Sequence, residues 1–156
     1  MRYCKSVFLV VLLGLSIAAG AQTMPSAPKP GPIPSPILRA KKVFVANLGT
    51  GRYSQNVGTR GYDTFYASLA SWGRYQLVDD PADADLVFEF GVRDANSNIF
   101  CRFELTLLDA RTRIPLWSFV EGDSDTGRKE KSVKDFNRHI EHLVGLVKEL
   151  AGTPSS

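Results

Sequence analysis

Six of the nine prolines fall between Gln22 and Ile37, and that crowding confines any packed core to the residues beyond them. Proline removes a backbone donor and fixes φ, so QTMPSAPKPGPIPSPI favours extended polyproline II and reads as a semi-rigid spacer. A Pro-rich docking ligand is the rival reading, but no basic anchor frames a PxxP pattern here. The folded part is expected over residues 38–152, with 153–156 as a tail. About 115 residues suffice for one hydrophobic core without disulfides.

Ahead of the spacer, residues 1–21 carry the three parts of a secretory leader. Arg2 and Lys5 are followed by a mostly apolar run from Val7 to Ala19, and Ala19-Gly20-Ala21 offers small residues for a cut before Gln22. The run falls short of the roughly 20 residues that span a bilayer as a helix. A retained amino-terminal anchor is the alternative. Cys4 lies in the charged region and no cysteine opens the mature chain, so lipid attachment is not expected. The expectation is export to the periplasm or beyond, with no transmembrane helix after cleavage.

The leader also carries most of the charge imbalance. The whole chain has 19 basic and 16 acidic residues; losing Arg2 and Lys5 leaves 17 against 16, a formal charge of +1. Nucleic-acid binding needs a clustered positive field, so no nucleic-acid partner is expected. Only Cys101 remains after cleavage, which excludes an internal disulfide. Ile99, Cys101, Phe103 and Leu105 alternate onto one face, so the thiol reads as a small buried hydrophobe.

Hydrophobic periodicity predicts strands over 41–47, 75–79, 85–92, 98–109 and 114–121, with helices over about 59–72 and 132–150. Tyr62, Phe65, Tyr66, Leu69 and Trp72 recur at helical spacing before Gly73. Phe136, Ile140, Leu143, Val144, Val147 and Leu150 form a second stripe that Gly152-Thr153-Pro154 ends. Ser132 and Asp135 read as its capping pair. The expected architecture is α/β (α+β): a five-stranded mixed sheet in the order β-α-β-β-β-β-α, with two helices packed on one face.

Several stretches then form a pattern. VFVANLGTG leads to a Gly- and Arg-bearing loop, and Gly73-Arg74-Tyr75-Gln76-Leu77-Val78 follows the first helix. Ala84-Asp85-Leu86-Val87-Phe88-Glu89-Phe90-Gly91 comes next, then a hairpin from Leu105 to Trp117 with Arg113 where the pattern has glycine. This resembles the small α/β envelope domain of the TolB amino-terminal region, the LpoB-type activators and the CsgG/FlgO group, over residues 41–150. The resemblance implies an envelope protein whose sheet or loops bind another protein without a catalytic centre. The chain departs from it in lacking a lipobox and a second domain such as a propeller.

Tests for chemistry return little. Gly49-Thr50-Gly51 follows a strand, but Ser54 stands where a dinucleotide fingerprint needs its third glycine, and no P-loop occurs. Arg52 and Arg60 in that loop are candidates for holding a partner carboxylate. Asp123-Ser124-Asp125-Thr126-Gly127 misplaces the glycine of a calcium loop, and Lys134 occupies the position of its bidentate glutamate. His139 and His142 could approach one metal from a helix, yet a zinc site needs a third protein ligand. No cofactor and no metal are therefore assigned.

One face of the sheet remains without predicted cover. If Cys101, Phe103 and Leu105 meet the helices, Phe100 and Leu108 point away, joined by either Trp117 and Phe119 or Leu116 and Val120. Exposed aromatic area on a sheet marks an interaction site. Trp117, Phe119, Phe100, Arg52 and Arg60 are the candidate protein-binding residues. The expected function is an exported envelope adaptor that binds another envelope protein or itself, without catalysis. The alternative is a small envelope hydrolase or metal-binding protein built on His139 and His142.

Overall fold

In the computed structural model the described residues are 31–50, 55–95, 100–125 and 130–152. The leader, its cleavage position, most of the Pro-rich segment and Arg52 lie outside them. Among the described residues five strands form one mixed open sheet, with three helices rather than two.

The additional helix, α1 (Ser35–Arg39), begins inside the stretch read as spacer. Pro36 falls in its first turn, where a missing N–H costs nothing because no intrahelical acceptor awaits it. Ile37 is fully buried in the core. Packing thus starts before the proline-rich composition ends.

β1 (Lys42–Thr50) leads into α2 (Gln55–Trp72), which begins four residues before the start expected near residue 59. Gly58 and Gly61 hid that first part, since glycine lowers helix propensity by about 1 kcal/mol. Gly61 has a packing reason. A Cβ there would lie 3.2 Å from Val92 Cγ2 and 3.3 Å from the Phe90 ring, so its absence lets α2 approach the sheet closely. Tyr62 donates from its hydroxyl to the Val45 carbonyl at 3.2 Å, and Phe65 stacks on Phe90 at 4.9 Å between ring centroids. Gly73, at φ +69°, supplies the left-handed stop expected of it.

β2 (Gln76–Val78) pairs parallel with β1 on one side, and β3 (Leu86–Ala95) pairs parallel on the other. Parallel neighbours usually need a long crossover. Here β2 spans three residues, so the short return through a 3-10 turn at Pro81–Asp83 suffices. Asp85 closes that return by accepting from the Lys41 and Lys42 N–H groups at 2.8 and 2.9 Å.

β4 (Phe100–Asp109) and β5 (Pro115–Asp125) complete the sheet antiparallel, giving the spatial order β2-β1-β3-β4-β5. Their turn is held by the Asp109 carboxylate, which accepts from the Arg111 and Thr112 N–H groups at 3.1 and 2.7 Å. Arg113 adopts φ +59°, the left-handed conformation that glycine takes without strain.

α3 (Glu130–Ala151) lays the expected stripe on the sheet: Phe136, Ile140, Leu143, Val144, Val147 and Leu150 are all buried. The helix starts two residues before Ser132, so that serine is internal rather than the cap. Asp135 instead pairs with Arg138 at 3.2 Å. One apolar cluster joins Ile37, Val43, Phe65, Phe88, Phe103 and Phe136, so the three described helices share one side of the sheet.

Candidate functional site

The opposite side carries a second set of side chains. The register places Phe44, Val87 and Leu108 in one row with Val78 beside Phe44, and Ala46, Glu89, Thr106 and Ser118 in the next. A third row holds Gly91, Glu104 and Val120. Leu48 comes within 3.5 Å of where a Gly91 Cβ would stand. Val87 and Leu108 are buried, yet they stand outside the helix-side cluster. The Arg113 guanidinium bonds Glu89 Oε1 at 2.8 Å, bridging from the turn across the row that contains them. Arg93 pairs with Glu104 at 3.3 Å further along the same face. Leu48 is 49% exposed, and Ile114 and Val120 are each 58% exposed.

Trp117 and Phe119 are not on this open face. They stand opposite Leu107 and Leu105, half-buried against the helix-side cluster. Strand alternation left two pairs to choose between, and the pairing with β4 selects the pair that faces the helices. The register shift between Leu107 and Leu108 gives Leu116 no partner of its own, and it too packs against the cluster. Val120 takes the outward position. Phe100 lies on the β4 backbone opposite Ala95 and Asp125.

Arg60 belongs to α2 rather than a loop, and its guanidinium lies 4.1 Å from the centroid of the Phe136 ring. That stacking ties α2 to α3. Of the site residues proposed from the sequence, Trp117, Phe119 and Arg60 are therefore engaged on the helix side rather than on the open face. Leu48, which lines the open face beside Gly91, was missed. The alternation of β1 placed Leu48 opposite Val45 and could have revealed it.

Asp85 borders a cleft of about 680 Å³, lined also by Arg39, Asp109 and Arg111. Its carboxylates already serve the backbone. The N–H groups of Lys41 and Lys42 hold the Asp85 carboxyl below its usual range, and Thr112 does the same for Asp109. Among the described residues no group of three or more His, Cys, Asp or Glu is arranged to hold a metal ion. His139 and His142 both turn their Nδ1 atoms to Glu121, at 3.2 and 2.7 Å. No described helix is long and apolar enough to cross a membrane.

A mixed sheet with its helices on one side is the arrangement that decides the comparison. The fold is similar to that of PelC. One PelC dodecamer from Paraburkholderia phytofirmans, a point variant, shares 13% identity at a TM-score of 0.55, covering 77% of this chain and 96% of that one. A second PelC dodecamer from the same organism, in another crystal form, gives 14% identity and a TM-score of 0.53, covering 76% and 93%. The NMR structure of E. coli LpoB is also similar, at 16% identity and a TM-score of 0.43, covering 80% of this chain and 85% of that one. At these identities the PelC likeness concerns fold alone. The α/β (α+β) class with a five-stranded mixed sheet, expected from the sequence, is the architecture found. No protein-family model matches the chain, and no curated protein does.

Proposed function

We propose that the chain is an exported accessory module of the bacterial cell envelope that works by holding another envelope protein or further copies of itself, without catalysis. The observation that carries this reading is the sheet face that the described helices leave uncovered, which carries the Phe44, Val87 and Leu108 row and, two rows further on, exposed Leu48 and Val120. A face that sets apolar side chains beside paired charges matches the composition of protein interfaces, which mix apolar contacts with polar groups. The PelC structures, similar in fold, are dodecamers, which supports self-association as one form of the contact. The leader pattern of residues 1–21 supports export.

The test is association of the exported chain, read by light scattering and by capture of envelope proteins. Leu48→Asp with Val120→Asp places two charges on exposed positions of the open face, where each costs the fold little. Association or capture is expected to fall at least tenfold while the far-UV circular dichroism stays unchanged. Undiminished association in that variant would remove the open face from the reading.

A further inference from the structure

Glu121 stands on β5 two residues beyond Phe119 and faces the helices, opposite Phe103. One of its oxygens meets His139 Nδ1 at 3.2 Å and the other meets His142 Nδ1 at 2.7 Å. The histidines are three apart on α3, so a single carboxylate spans both. The Glu121 side chain is 14% exposed and that of His142 is 61% exposed. The His139 ring stacks on Phe103 with centroids 6.3 Å apart, which fixes its orientation. In a seam formed otherwise by Trp117, Phe119, Phe103 and Phe136, this trio is a polar fastening between strand and helix.

We propose that Glu121, His139 and His142 form a proton-operated latch that fastens edge strand β5 to helix α3 and releases it on acidification. An ionised carboxylate accepts from both rings. A neutral imidazole donates from only one nitrogen, whereas an imidazolium donates from both, so a proton gained by either ring makes its bond charge-assisted and tighter. A proton gained by Glu121 acts in the opposite sense. It removes the negative charge that both rings share and leaves their N–H groups without an anionic acceptor.

The surroundings leave this balance to the trio. From β4, Phe103 and the Cys101 thiol share the face of Glu121. From α2, the Arg60 guanidinium lies over Phe136, nearer the amino terminus of α3 than His139. From α3 itself, Arg138 is engaged with Asp135, and Glu141 is exposed beside His142. Burial pushes the Glu121 carboxyl up, but the hydrogen bonds and charges of His139 and His142 outweigh it, and the net displacement is downward. A carboxyl lowered on folding adds stability that is present above its unfolded range and is lost as pH falls through the folded value. The latch thus holds through neutral and mildly acidic solution and opens below the ordinary glutamate range. Opening uncovers Trp117 and Phe119, which share the Glu121 face of the strand.

Trp117 reports the event directly in a chain carrying Trp72→Phe. Its emission is expected to shift to the red below the usual glutamate range while far-UV circular dichroism is retained. Glu121→Gln should abolish the step, and His139→Gln with His142→Gln should move it to higher pH. His142→Gln alone, at a largely exposed position, gives a smaller upward move and remains readable if the others fold poorly. A step with the same midpoint in every variant overturns the latch, as does one that coincides with loss of circular dichroism in the parent. A change in neutral-pH emission on adding zinc also overturns it, because the trio would then be an ion site.

Discussion

Arg113 shows how one residue can carry a local cost for a distant contact. Its φ of +59° strains any side chain with a Cβ by about 1 kcal/mol, a strain that glycine avoids. The guanidinium pair with Glu89 offsets part of that, although exposed pairs contribute at most about 1 kcal/mol. Arg113→Ala keeps the strain and loses the pair, whereas Arg113→Gly loses both. Urea unfolding should therefore find Arg113→Gly more stable than Arg113→Ala by about 1 kcal/mol. Asp85 works differently, by satisfying two N–H groups at the start of β1. Asp85→Ala is expected to cost about 1 kcal/mol at pH 7. Its carboxyl is lowered by those bonds, so the contribution is present above the unfolded carboxylate range and fades as pH falls through the folded value. Unfolding curves of parent and variant should converge towards acid.

At the scale of elements, α2 and β5 depart most from their sequence signals. Gly61 weakens the helical signal yet permits the approach of α2 to Phe90 and Val92. Gly61→Val would push a branched side chain into those neighbours and is expected to destabilise by about 2 kcal/mol in urea unfolding. A helical position that merely tolerated glycine would lose far less. In β5 the shift of register at Leu116 keeps Leu116, Trp117 and Phe119 all on the helix-side cluster, which strict alternation forbids. The same strand is one of the two sheet edges and runs for 11 residues, against three in β2. A long edge needs restraint. α3, packed along β5 and pinned through Glu121, supplies it.

For the whole molecule, the decisive property is that the three described helices crowd onto one side of the sheet. The buried stripes of α2 and α3 require that face, and Ile37 of α1 joins them. What is left on the other side combines an apolar row with two charge pairs, with Val87 and Leu108 buried beneath the reach of Arg113 to Glu89. A module that meets a partner through this face should lose the contact when Leu48 and Val120 become acidic, and it should keep its fold. The same substitutions leave the Glu121 latch untouched, since that lies on the helix side of β5.

Local periodicity by itself determined the order of the five strands with α2 and α3, though not α1, together with both glycine stops and the apolar stripe of α3, because each depends on neighbours within one or two turns. The burial of Cys101 was legible for the same reason. Tertiary structure alone decided which side of β5 faces the core, because alternation separates two faces without saying which one a helix covers. It likewise decided that Arg60 stacks on Phe136 and that both histidines close on Glu121. Those contacts join residues far apart in the chain, and only the paired register and helix packing bring them within reach.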